Sequence, residues 1–378
     1  MKKSFIKLTK TGCVIVFLLL AVEGCQKNPF PKPNELKANY EQVNLVGDDD
    51  QYSPLRIVPD LKNAWGMAFA PSGPVWVNAE VTGLSFIFNA QGGDVRPPVA
   101  IPSPGSDEGG GHPTGIVFNG SSGFTLPNGH PARFIFVGVD GVISAWNGGD
   151  VAVKLGDHTA AYTGLAIAAD GPDSFIYAAN FRTGQIDVYD TSWSEVSGKP
   201  FTDPSLPQGY SPFNIQNVGG NLFVTYAKVD VEEGEEEKGP GLGFVDIYSP
   251  DGQLIKRFAS EGKLNAPWGV AEAPTAFWKD QDLDGDEEDN GKMIGEKHHH
   301  PKTVILIGNF GDGHIGAYDQ DGEFLGQLRS NGKKIEIEGL WAISFAPASA
   351  TTIDPNWLFF AAGPGDEEHG LFGYIKRD

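Results

Sequence analysis

The chain has 378 residues, enough for one large domain, and its 50 Gly, 27 Pro and 24 Phe favour many short strands joined by tight turns over long helices. Four of its 28 basic residues and one of its 49 acidic ones fall in the first 24 positions, so the remainder carries a net charge of −24, which repels phosphate backbones and argues against a nucleic-acid partner. Both cysteines, Cys13 and Cys25, lie near the N-terminus, so the rest of the chain has no disulfide and must be held by burial and sheet closure.

Lys2, Lys3, Lys7 and Lys10 open the sequence and are followed by an apolar run from Val14 to Val22. That run is too short to span a bilayer and reads as the core of a signal peptide over residues 1–24. It ends in Val22-Glu23-Gly24-Cys25, which resembles a bacterial lipobox, although Glu23 stands where a small residue is usual. The expectation is acylation of Cys25, whose lipid would be the chain's only contact with a membrane. Ordinary secretion with a cut near Gly24 is the alternative. Residues 25–39, with Pro29, Pro31 and Pro33, read as a stiff tether. Both readings place the protein outside the cytoplasm, anchored in the cell envelope (periplasmic or surface-exposed) or secreted.

From about Tyr40 the sequence repeats itself. One block recurs as Asn63-Ala64-Trp65-Gly66, His112-Pro113-Thr114-Gly115, Ala161-Tyr162-Thr163-Gly164, Ser211-Pro212-Phe213-Asn214, Ala266-Pro267-Trp268-Gly269 and Gly339-Leu340-Trp341-Ala342. The fourth residues are spaced by 49, 49, 50, 55 and 73 positions. Each block precedes two strand-like runs around a turn, and most copies add a further short strand, such as Glu323–Leu328. Four strands per repeat of about fifty residues is the unit of a β-propeller. The prediction is an all-β, six-bladed propeller with four-stranded blades over residues 40–378, monomeric. The sixth copy has only three strands, so Tyr40–Val46 is expected to pair beside Leu371–Ile375 and close the ring. The two long spacings hold insertions. Glu232–Glu237 in blade four reads as a solvated acidic loop, and residues 278–301 interrupt blade five between its first and second strands.

The segments Asn265-Ala266-Pro267-Trp268-Gly269, Gly308-Asn309-Phe310-Gly311-Asp312-Gly313-His314-Ile315 and Gly339-Leu340-Trp341-Ala342-Ile343, with Asn44-Leu45-Val46 ahead of Asn63-Ala64-Trp65-Gly66, resemble an uncharacterised family of secreted bacterial NHL-like propellers. Some members of that family carry a PEP-CTERM sorting tail, which this chain lacks. The resemblance implies fold and export. It implies no activity, although more remote NHL-type relatives include calcium-dependent lactonases.

In such a ring, the loop entering each innermost strand opens on the same face as the turn between the second and third strands. The repeat places Asn63, His112, Ser211 and Glu338 near the first of these slots, and Glu80, Asp140, Asn180, Arg182, Asn309 and Asp312 at or beside the second. Oxygen donors in that number could ligate Ca2+, which could polarise an ester or lactone carbonyl with His112 as base. The same Asn and Asp are equally ordinary turn residues that bond their own backbone. Trp65, Trp268 and Trp341, just before the aligned position, read as packing residues, with ligand stacking as the alternative. Asp280, Asp282, Asp284 and Asp286 alternate around Gly285 as in a calcium loop, but Gly291 stands where a bidentate Glu is usual, so Glu288 or Asp289 would complete a looser shell; a solvated acidic insertion is the competing reading. His298-His299-His300 reads as an exposed tract, since adjacent imidazoles do not readily converge on one ion. No nucleophile elbow, Walker loop or dinucleotide fingerprint is present. The leading expectation is a binding scaffold for an unidentified protein, glycan or small ligand. The rival is a calcium-dependent hydrolase at the propeller mouth.

Overall fold

The computed structural model describes Leu36, residues 38–278 and residues 303–378. Cys25, the loop residues Asp280, Asp282, Asp284, Asp286 and Glu288, and the histidine tract therefore lie outside the described residues.

Among the described residues six sheets follow one another as blades, antiparallel except that Arg56–Ile57 adds a short parallel strand to the sixth, and two two-stranded ribbons lie outside them. Blade one is Ala64–Phe69, Val75–Ala79, Leu84–Phe88 and Asp94–Ala100, from the axis outward. Blade two is Pro113–Phe118, Phe134–Gly138, Val142–Trp146 and Val153–Asp157. Blade three is Tyr162–Asp170, Asp173–Asn180 and Gln185–Asp190. Blade four is Tyr210–Val218, Asn221–Val229, Phe244–Tyr248 and Leu254–Ser260, and blade five is Pro267–Glu272, Val304–Asn309, Ile315–Asp319 and Phe324–Gln327. Blade six combines Leu340–Phe345, Leu358–Ala362 and Leu371–Arg377 with Tyr40–Gly47 from the other end of the described chain. That closing strand runs antiparallel to its neighbour, from Tyr40 opposite Arg377 to Gly47 opposite Leu371, as the sequence predicts.

The alternation of side chains along each strand supplies two interfaces at once. Phe134 and Phe136 pack toward blade one, while Ile135 and Val137 pack toward blade three. Val304 and Leu306 face blade six, while Ile305 and Ile307 face blade four. Both faces are dry, so the central strands read as continuous apolar runs. The innermost strands crowd together at the axis. A Cβ on Gly66 would collide with the Thr114 carbonyl, and one on Gly115 with the Leu165 backbone, which is why the repeated block carries glycine there.

Two expectations are corrected. Blade three has no regular fourth strand, only an isolated bridge between Tyr189 and Glu195. Asp190 ends the ladder by accepting the backbone N–H groups of Ser192 and Ser194. Pro200, Pro204 and Pro207, which lack the N–H a ladder needs, follow before blade four. The acidic run of blade four is a solvated loop only in part: Glu232, Glu233 and Glu235 are exposed turn residues, whereas its last two residues are half-buried. Glu236 and Glu237 pair with Val229 and Lys228 as a short antiparallel strand that returns beside the end of the blade's second strand.

Candidate functional site

The two loop slots of each blade do meet on one face. Glu80 N donates to Asn63 O, Val139 N to His112 O, and Gly363 N to Gly339 O. The mouth on this face is floored by aromatic side chains. Trp341 is sandwiched between Trp65, with centroids 3.5 Å apart, and Phe310, at 3.8 Å. Phe213 of blade four touches Trp341 of blade six at 5.6 Å, and the Trp268 indole of blade five donates to Thr163 O of blade three at 3.0 Å. Contacts between non-adjacent blades can form only across the axis, so these rings seal it. The three tryptophans thus pack at the centre of the ring rather than merely between neighbouring blades, and Trp341 is fully buried.

Above this floor a polar chain links blades six, one and two. The indole N–H of Trp341 can only donate, and it donates to Asn63 Oδ1 at 2.9 Å. That fixes Asn63 Nδ2 on two carboxylates, Glu367 Oε2 at 2.7 Å and Glu80 Oε2 at 3.2 Å. Glu80 Oε1 lies 2.7 Å from His112 Nδ1. The His112 backbone N–H in turn donates to Asp140 Oδ2. The Glu80 side chain is largely buried, whereas that of His112 is about half exposed.

The remaining predicted residues do not join this chain. Asn180 is buried and spends its oxygen on the Ala161 and Thr183 backbone and its nitrogen on Asp187. Asn309 is likewise buried, bonding Asn265 N, Lys263 O and Asp312. Both are turn braces, the bland role their type suggests. Arg182 is exposed, and Ser211 is buried in blade four. Asp312 and Glu338 instead line a cavity of about 210 Å³ beside the polar chain, with Glu336, Asp366, Glu367, Phe310 and Lys238. Burial pushes the Asp312 carboxyl up, but hydrogen bonds from His314 and Asn309 outweigh it and hold it below the usual range.

Three further groups belong to this mouth: Glu367, Glu236 and Lys238. Glu367 sits in the turn between the second and third strands of blade six, the slot that Glu80 fills in blade one, so the repeat alignment carried a signal for it. Asp366 and Glu367 adopt left-handed backbone, with φ of 50° and 67°, a conformation costing about 1 kcal/mol or more at a residue with a Cβ. Burial raises the Glu367 carboxyl above the ordinary range; Asn63 and Lys238 oppose this, and Glu80 and Glu235 add to it. Burial also pushes Glu236 up, to about 7, reinforced by Glu367 and Glu235 and opposed by Lys238. The blade-four hairpin thus brings its carboxylates within electrostatic reach of the blade-six turn.

One cluster among the described residues has ligand atoms close enough for a metal ion. Asp48, Asp49 and His369 place three within 4.8 Å at the seam between the closing strand and blade six. There His369 Nδ1 already lies 3.1 Å from Asp48 Oδ2, Gly370 N donates to Asp48 Oδ1, and Lys62 Nζ stands 3.6 Å from Asp48 Oδ2. These partners make the cluster a polar clasp.

No family model matches the chain. It is 28% identical over 337 residues to an uncharacterized protein of Acanthamoeba polyphaga mimivirus, covering 85% of this chain and 76% of that one. A second uncharacterized mimivirus protein is 26% identical over 374 residues, covering 93% and 89%. These relatives are viral, so the bacterial origin and sorting tails of the family that the motifs resemble draw no support from them. Among solved structures the chain is similar to a streptogramin B lyase, at 13% identity and a TM-score of 0.47 over 90% of this chain and 97% of that one. It is also similar to a Bacteroides thetaiotaomicron protein of unknown function, at 11% and 0.49 over 90% and 77%, and to a chain of a nidogen/laminin complex, at 14% and 0.44 over 77% and 87%. At these scores none of them bears on what the chain binds or catalyses. The propeller assignment stands on the strand pairing described above.

Proposed function

We propose that this chain is an exported propeller that serves as a binding scaffold, with its ligand site at the mouth where blades four, five, six and one meet. The observation that carries the reading is the small carboxylate-lined cavity set on a sealed aromatic floor. A closed floor gives a ligand a surface to dock on and no passage through the ring. The strained turn at Asp366 and Glu367 holds a half-buried carboxylate at that surface, and strain of this kind clusters at ligand sites. The apolar leader and the Cys25 sequence support delivery to the cell envelope by lipidation, and the alternate carboxylates from Asp280 to Glu288 support a structural Ca2+ loop. The strands flanking that insertion meet at Glu272 and Ile305, the end of blade five away from the mouth.

A thermal-shift screen of the full-length protein in detergent, against glycan and small-molecule panels, tests the reading. A ligand whose stabilisation is lost in Glu367→Gln supports it. Turnover of esters or lactones with no stabilising ligand would sink it.

The second reading, a calcium-dependent hydrolase, is favoured by one observation, the 2.7 Å contact between Glu80 and His112 Nδ1. A carboxylate on one ring nitrogen orients a histidine to act as base through the other. On that reading His112→Ala lowers turnover about 100-fold or more, within the usual worth of a general base, and chelation abolishes it. Activity unchanged in His112→Ala rules the dyad out.

A further inference from the structure

We propose that the mouth is an ammonium site: the cavity walled by Phe310, Asp312, Glu338 and Glu367 receives an alkylammonium group, and Lys238 of the same chain occupies it in the unliganded protein. The inference rests on the mouth being the binding surface and names the class of its ligand.

The cavity already holds a cation. Lys238 Nζ lies 4.4 Å from the centroid of the Phe310 ring, inside the range of cation–π attraction. Phe310 is held there by its stack on Trp341, which stacks in turn on Trp65, so the aromatic wall is rigid. Lys238 reaches it from the blade-four hairpin, whereas Phe310 belongs to blade five and Glu367 to blade six. The lysine is held loosely. Its side chain is 44% exposed, and Glu236 Oε1 is 3.9 Å away, too long for a hydrogen bond. A tethered, weakly held ammonium in an aromatic and acidic niche behaves as a stand-in that a better-fitting cation displaces.

One lysine also leaves the niche under-neutralised. Asp312, Glu336, Glu338, Asp366 and Glu367 all line the cavity, and among the described residues Lys238 is its only basic lining residue. Glu367 and Glu236 hold their protons more tightly than ordinary carboxylates despite Lys238. A second observation separates an organic cation from a hard metal ion. Several carboxylate oxygens are already engaged: Glu367 Oε2 by Asn63, Glu338 Oε1 by Gly365 N, and Asp312 Oδ1 by Asn309 and His314 N. Calcium asks for six to eight oxygens and has no use for an aromatic wall. An alkylammonium offers three N–H donors to the free oxygens and lays its stem and charge on the ring. The cavity, at about 210 Å³, suits an ammonium head with a short stem. That head can belong to a free amine or to a lysine side chain of another protein.

Calorimetry on the full-length protein in detergent, at fixed ionic strength and pH 7.5, tests this with n-butylammonium, tetramethylammonium, Nα-acetyl-lysine amide and CaCl2. The expected result is saturable binding of the ammonium probes. Affinity should rise severalfold in Lys238→Ala, because the internal competitor is gone, and fall about tenfold in Glu367→Gln. Phe310→Leu should weaken tetramethylammonium most. Preference for acetyl-lysine amide over butylammonium assigns the site to protein lysines, and the reverse order to free amines. No binding in either wild type or Lys238→Ala, equal affinities in the two, or Ca2+ binding with no amine binding would overturn the inference. A non-cationic ligand bound at the mouth and lost in Glu367→Gln would overturn it while leaving the scaffold reading intact.

Discussion

Asn63 shows how much one side chain can organise. Its φ of 45° lies in the left-handed region, which Asn tolerates better than most residues with a Cβ. From there a single amide joins the aromatic floor to two carboxylates. Asn63→Asp keeps the acceptor for Trp341 but turns a donor between Glu80 and Glu367 into a third negative charge. Stability should fall by about 2–4 kcal/mol at pH 8 and largely return at pH 5, as read from urea unfolding. An equal loss at both pH values would refute the electrostatic account. Glu236 gives a prediction of similar kind. Its folded proton affinity, near 7, is raised above the unfolded value, so its contribution to stability is fully present below the unfolded pKa of about 4.5 and is lost as pH rises through 7. Over that window the wild type should lose at most about 3 kcal/mol from this group, and Glu236→Gln should remove that slope. Much of the mouth is legible in the sequence. The repeat alone singles out Asn63, Glu80, His112, Asp140 and Asp312. Glu236 and Lys238 are not legible, because an acidic run looks solvated until the strand pairing at Val229 and Lys228 is known.

At the level of strands, the repeated block foretells the architecture because its glycines and alternating apolar residues answer to geometry. Gly115→Val would press a branched side chain onto the Leu165 backbone of the next blade. The expected loss is about 3 kcal/mol, at the upper end for overpacking, because backbone on both sides leaves little room to relax. A melting temperature within a degree of wild type would contradict the close approach. Blade three is where the pattern misleads. Its first three strands follow the repeat, but the Asp190 turn and the prolines beyond it deny the fourth its ladder. Lys199 and Phe201 cover that flank instead, through Asp170 at 2.6 Å and the Tyr177 ring at 5.6 Å. The closing strand is the counter-example. Its alternation is sufficient to predict its place, because the sixth repeat as read from the sequence has only three strands. The clasp of Asp48 with His369 and Gly370 then fixes its end.

For the whole molecule, stability has to come from the circular arrangement of six interfaces, each shared by two sheets. The axial rings join blades that are not neighbours in the ring, so the centre and the seam act together. The closing strand has a definite polarity: it climbs from Tyr40, beside Arg377, to Gly47, beside Leu371 and the mouth. The chain therefore joins the ring at the rim farthest from the mouth, where Asp378 N also donates to Asn39 O. A tag fused after Asp378 would therefore stand clear of the acidic bowl and leave access to it undisturbed.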